Sequence, residues 1–138
     1  MPSSSLVGPL AGGTEKLTIN LGVVDLGQID LLVREGFYSN RTDLIRTAIR
    51  NQLALHAEQL NRTIARQSLH LGLQHITRAQ LEAACAAGEV LQIRVVGLAR
   101  IADDVSPKLA RAAIQSISVL GAFHAPAAVR RALADRMK

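Results

Sequence analysis

Aromatic side chains are almost missing from this sequence: one Tyr, two Phe and no Trp in 138 residues. Proteins that hold single strands or RNA by stacking bases on aromatic platforms need more of them, so the composition argues against that mode of binding. Cysteine is equally scarce. Cys85 stands alone, which excludes an internal disulfide and a cysteine-based zinc site; in an Ala-rich helical stretch it is expected as a small buried residue. No apolar run reaches the roughly 18 residues of a membrane-spanning helix. Residues 1–13 lack the basic start and continuous apolar stretch of a signal peptide. The expected location is the cytoplasm, with no membrane partner. Neither a Gly-x-Ser-x-Gly elbow nor a phosphate-cradling Gly-Lys-Ser/Thr occurs. The four histidines, His56, His70, His75 and His124, have no carboxylate or cysteine at metal-ligand spacing, and His70 and His75 are five apart, wrong for one helical face. Asp103 and Asp104 precede Ser106 and Pro107 as a turn or cap. We therefore expect no catalytic site, no metal, no cofactor and no enzymatic activity.

What is present is a chain able to fold. Hydrophobic residues make up 49% and charged residues 20%, enough to bury a core. The length suits one ordinary domain or two small ones. The net charge of +5 and a pI near 10.3 favour a polyanionic partner, chiefly nucleic acid. Arginine supplies 13 of the 16 basic residues, a bias that a GC-rich genome alone can produce. The charge is also unevenly spread. Residues 1–66 hold seven basic and six acidic side chains; residues 67–138 hold nine and five. Arg94, Arg100, Lys108, Arg111, Arg130 and Arg131 are the C-terminal candidates for touching phosphate; a merely solvated basic surface is the plainer reading.

Three segments follow. Residues 1–13, with Pro2, three serines, Pro9 and the pair Gly12 and Gly13, read as a flexible arm. Residues 14–66 hold one strand and two helical stretches. From Lys16 to Leu21 polar and apolar residues alternate, so Leu17, Ile19 and Leu21 share one face and Lys16, Thr18 and Asn20 the other. A helix is predicted from near Val24 or Asp25 to Glu35, with Leu26, Ile29, Leu32 and Val33 as its stripe and Gly36 as its stop. Gly27 weakens it. Ser39 is the expected N-cap of a second helix from Asn40 to the His56 region, or on a longer reading to Arg66. Its stripe is Leu44, Ile45, Ala48, Ile49 and Leu53.

Residues 67–138 repeat. Ile93 to Ile101 matches Ile117 to Ala125 at a spacing of 24, with Gly97 over Gly121, and Leu69 to Ile76 is a weaker copy. Each copy reads as a strand, a Gly turn and a helix: Arg78 to Ala87, Ser106 to Ala113, Ala127 to Arg136. Such units stack because none can bury its face alone. A small strand–helix solenoid is one reading; similar units by chance in an Ala-rich sequence is the other.

A lone strand with two amphipathic helices is a poor monomer. The strand has two unpaired edges, and some 50 residues make a thin core. Pairing the strand with its copy from a second chain solves both problems. Leu17, Ile19 and Leu21, with Leu44, Ile45 and Ile49, then form a dimer core. Lys16, Thr18 and Asn20 face outward on a two-stranded ribbon that fits the major groove of DNA. Arg46 and Arg50 lie off the apolar stripe, with Asp30, Glu35 and Asp43 as possible ion-pair partners.

The order strand, helix, Gly-aromatic turn, then Ser39 to Arg50, resembles the ribbon-helix-helix family of bacterial regulators, the Arc, MetJ and CopG class, over about Glu15 to Leu55. Ser39, Arg41, Ile45 and Arg46 fill the places of its second-helix signature. Gly22 and Val23 depart from the usual polar or Pro-containing start of the first helix. The resemblance implies a swapped homodimer on double-stranded DNA. Lys16, Thr18 and Asn20 would read bases, and Ser39, Asn40 and Arg41 would clamp phosphate, in keeping with the anion affinity of helix N-termini. The expected fold class is α+β: an N-terminal ribbon-helix-helix swapped dimer over 14–66, and a solenoid-like strand–helix repeat domain over 67–138 for oligomerisation or partner or ligand binding. The expected function is sequence-specific transcriptional regulation, as a repressor on the family pattern. The rival readings are an antitoxin of a toxin–antitoxin pair, and a DNA-associated assembly protein oligomerising through its repeats.

Overall fold

The computed structural model describes residues 13–138. The arm expected over residues 1–13 lies, apart from Gly13, outside the described residues. The chain divides into two compact units, Lys16–Thr63 and a second made of residues 13–15 with Ile64–Lys138.

The first unit is helical. Helix α1 spans Val23–Arg34, α2 spans Arg41–Leu55, and α3 begins at Ala57 and runs to Arg66 in the second unit. Residues 14–22 form no hydrogen-bonded ladder. A strand exists only by pairing, and no described residue pairs with this segment. Helix α1 stops as predicted at Gly36, and the mechanism is explicit. Gly36 takes φ +87°, its N–H donates to the Val33 carbonyl at 3.1 Å, and the Phe37 N–H reaches back to Leu32 at 3.0 Å. These two bonds are a Schellman closure, which needs a residue without Cβ strain at that point. The cap of α2 is Asn40, not Ser39: the Asn40 side chain accepts from the Asp43 N–H. The longest helix reading, Asn40 to Arg66, is interrupted at His56, whose backbone leaves the helix before α3 resumes.

The second unit alternates strand and helix: β1 His70–Ile76, α4 Arg78–Ala86, β2 Leu91–Ile101, α5 Pro107–Ala113, β3 Ile114–His124 and α6 Ala127–Ala132. The last predicted helix is shorter than expected. It yields to a 3-10 turn, Ala134–Arg136, after which Met137 bridges Ile117 and the Lys138 N–H donates to the Ile117 carbonyl. The three strands are parallel in the order β1-β2-β3. Their glycines, expected as turns after the strands, stand inside them and fall in one row, Gly72 beside Gly97 beside Gly121. The row requires glycine. Gly97 and Gly121 have φ +139° and +122°, and a Cβ on either would lie 2.1 Å from the neighbouring glycine's carbonyl oxygen.

One face of the sheet carries the core. Ile76, Ile93, Val95, Ala99, Ile101, Ile114 and Ile117 from the strands meet Leu81 and Ala84 of α4, Ala110 and Ala113 of α5, and Val129 and Leu133 beyond. Alanines at the helix positions let helix and sheet backbones approach closely. Both early helices of this unit are well capped. Thr77 and Gln80 exchange bonds in a capping box, and Ser106 accepts from Leu109 with Pro107 following it. Asp103 and Asp104 form the turn before that cap. Cys85 is exposed rather than buried: α4 turns Leu81 and Ala84 inward, and Cys85, one position past that stripe, meets solvent.

Candidate nucleic-acid interface

Lys16, Thr18 and Asn20 are exposed, and so are the alternating apolar residues between them. Leu17 is 79% and Ile19 57% exposed, and Leu21 is open as well. Ile49 is also exposed, whereas Leu44 and Ile45 are half-buried. No residue of Lys16–Thr63 is buried. Helix α1 fares no better: Leu26, Ile29 and Val33 are half-buried, and Leu32, expected on the same stripe, is exposed.

The start of α2 is built from three consecutive residues. The Ser39 N–H donates to Asp43 Oδ2 at 2.9 Å. The Asp43 N–H donates to Asn40 Oδ1 at 2.8 Å. Arg41 places its guanidinium against α1, where Nε and Nη2 donate to the two oxygens of Asp30 at 2.7 and 2.8 Å. The hydrogen bond from Arg41 holds the Asp30 carboxyl below the usual carboxylate range, and Asp30 raises the Arg41 guanidinium further. Asp30 is therefore the partner of Arg41, not of Arg46 or Arg50, which are exposed. Sequence reasoning did not find this clamp, because a pair 11 residues apart across a turn leaves no spacing signal.

An anion arriving at this helix end would find the amides of Arg41 and Thr42, which have no intrahelical acceptor in the first turn. It would also meet the positive end of the α2 dipole. The Asp43 carboxylate opposes it, and the Ser39 amide and Arg41 guanidinium are engaged.

The basic residues of the second unit divide into engaged and open. Arg111 is bound to Asp135 at 2.9 Å and to the Ala132 carbonyl. Arg130 donates to the Phe123 carbonyl and lies over the Phe123 ring, 5.3 Å from its centre. Arg100 reaches Asp103 at 3.4 Å. Arg94, Lys108 and Arg131 are exposed. Among the described residues no three His, Cys, Asp or Glu side chains converge as a metal site, and no helix is long and apolar enough to cross a membrane.

A helical unit whose second helix is capped, preceded by an alternating segment whose side chains are all open, has the layout of a DNA-binding regulator. The sequence model of the ribbon-helix-helix transcriptional regulator family matches residues 12–130. The chain belongs to that family, one of DNA-binding transcriptional regulators. The match extends through both units and so takes in the strand–helix part as well as the helical hairpin. No curated protein and no solved structure matches the chain.

Proposed function

We propose that this chain is a sequence-specific repressor that works as a homodimer. Residues 16–21 of two copies pair as an antiparallel ribbon, with Leu17, Ile19 and Leu21 turned onto Leu44, Ile45 and Ile49 of both chains. Lys16, Thr18 and Asn20 then enter the major groove. Asn suits adenine, Lys suits guanine acceptors or phosphate, and Thr offers a hydroxyl and a methyl for thymine. The start of α2, Ser39, Asn40 and Arg41, receives a phosphate, chiefly through the open amides of Arg41 and Thr42, since the Ser39 N–H holds Asp43 and the Arg41 side chain holds Asp30.

One observation carries this reading. In Lys16–Thr63 no residue is buried, although the segment carries apolar stripes on both α1 and α2. Apolar surface left open on that scale needs a cover, and a second copy supplies both the cover and the missing strand. Residues 14–66 are then the DNA-binding and dimerisation part. Residues 67–138 are a solenoid-like domain for oligomerisation or for a ligand or protein partner, and the place of action is the bacterial cytoplasm, on the nucleoid. The antitoxin reading is weakened by the buried core of the second unit, because a tail that folds only on its toxin would not carry one.

The test is fluorescence anisotropy on a pool of random duplexes titrated with salt, comparing the parent with the triple variant Lys16→Ala, Thr18→Ala, Asn20→Ala. Selected sites should be lost in the variant while weak, salt-sensitive binding persists. A variant that selects the same sites as the parent removes the ribbon from the mechanism. Sedimentation without DNA should give a dimer.

A further inference from the structure

The helix-free face of the sheet is apolar at its centre and basic along one end. Strand register sets Leu71 beside Val96 and Leu120, then Leu73 beside Leu98 and Ala122, then His75 beside Arg100 and His124. Leu71 and Leu120 are 61% and 62% exposed. A cavity of about 450 Å³ lies over the glycine row and is lined by Leu71, Leu73, Val96, Leu98, Ala122 and His124; a second, of about 290 Å³, adjoins it between Leu73, Leu98, His75 and Arg100. Residues 13–15 run along the rim. A side chain on Gly13 would press on Leu98 at 3.1 Å, and His124 Nε2 meets Glu15 Oε1 at 2.9 Å. A carboxylate can only accept, so His124 donates. The row thus already holds one carboxylate, supplied by the chain itself. Among the described residues Arg100 makes one ion pair, a long contact to the exposed Asp103, which leaves guanidinium N–H groups for a second.

We propose that this face binds a small amphipathic carboxylate. Its hydrocarbon body lies over Leu73, Val96 and Leu98, and its head group accepts from Arg100 and from His124 in competition with Glu15. The volume and the mixture of an apolar floor with a few convergent donors are those of a small-molecule site. The charge at the end of the face selects an anion over an alcohol or a cation of the same length. Glu15 immediately precedes Lys16, so a ligand that displaces it acts one residue from the base-reading segment. That coupling rests on the proposed DNA-binding function, whereas the binding itself does not.

The experiment is an amide-shift titration of the full chain, without DNA, with octanoate, octan-1-ol and octyltrimethylammonium. Octanoate should saturate, move the amides of Leu73, Leu98 and Arg100, and bind about tenfold more tightly than the alcohol, the usual worth of a charge-assisted bond. Arg100→Gln should bring acid and alcohol level. Glu15→Gln should tighten octanoate and leave octanol unchanged, a gain that misfolding cannot imitate. Equal binding of acid and alcohol to the parent overturns the proposal, as do shifts confined to Lys16–Thr63. So does octanoate binding that emerges only when residues 1–12 are removed, which would make that segment the occupant. Anisotropy on DNA with and without octanoate then reads the coupling separately: binding without any change in DNA affinity sinks the coupling alone.

Discussion

The two units of this chain solve the burial problem differently. Ile64–Lys138 closes a core within one chain: every buried hydrophobic residue among the described ones lies from Ile76 to Leu133, packed between a parallel sheet and its helices. Lys16–Thr63 closes none. Its apolar residues are as regular in sequence as those of the sheet, yet they line a surface. The difference teaches that periodicity reports which face is apolar, not what covers it. In the second unit the next strand or helix of the same chain is the cover. In the first, no described residue of the unit is, and the cover proposed above is a second copy.

The sharpest way to break the comparison is at the glycine row. Gly97→Val places a β-branched side chain at φ +139° and against the Gly72 carbonyl oxygen. Strain and overlap together should cost about 2–6 kcal/mol. The second unit should unfold, read as loss of strand signal in circular dichroism, while sedimentation still reports association through the first. Loss of association together with the sheet would show that the first unit depends on the second.

Next in size are two paired substitutions. Leu81→Ala empties a fully buried position and should cost about 2–5 kcal/mol, with a denaturation midpoint that does not move on dilution. Ile19→Asp should leave that midpoint alone and shift only the concentration-dependent association. If instead Ile19→Asp lowers a dilution-independent midpoint, the open face is not an interface between copies.

Much of this was legible in the sequence, for reasons that can be named. The Gly36 stop, the Ser106 and Pro107 start and the match of Gly97 to Gly121 are local chemistry or strict repetition. The Asn40 cap was missed by one residue because Ser39 and Asn40 are both good caps, and only the Asp43 bonds decide between them. Cys85 was misjudged because an Ala-rich helix gives little contrast between faces. The row His75, Arg100 and His124 was missed although its signal was present: each stands three residues after a repeat glycine. Reading the histidines at helical spacing hid them, since in strands it is the repeat column that brings residues together.

A smaller effect is expected at the cap itself. Asn40→Ala removes the acceptor for the Asp43 N–H and should cost about 1 kcal/mol of helix stability. Association should weaken accordingly, with the Leu81-type midpoint unchanged. Asn40→Asp keeps an acceptor and should keep stability, but its added charge beside Asp43 should weaken DNA binding at low salt, the sign that separates a cap from a phosphate site.

The smallest effect sharpens the comparison most finely, because each unit carries one Arg–Asp pair. Asp30 is held below the usual carboxylate range by the hydrogen bond from Arg41, and Asp135 by that from Arg111. A depressed folded-state value means that the contribution is present above the unfolded carboxylate value and is lost as pH falls through the folded one. Both pairs are exposed, so each effect is slight and shrinks with salt. They should nonetheless differ in consequence. Arg111 keeps its bond to the Ala132 carbonyl when Asp135 is protonated, and the core around α5 and α6 keeps its shape. Arg41 joins α1 to α2 through Asp30, with no buried side chain behind it. Acid titration followed by amide exchange should therefore loosen the α1–α2 turn before the sheet, and Asp30→Asn should bring that loosening to neutral pH while Asp135→Asn leaves the sheet protected. If the two variants loosen their units equally, the first unit has a source of order that its open surface does not account for.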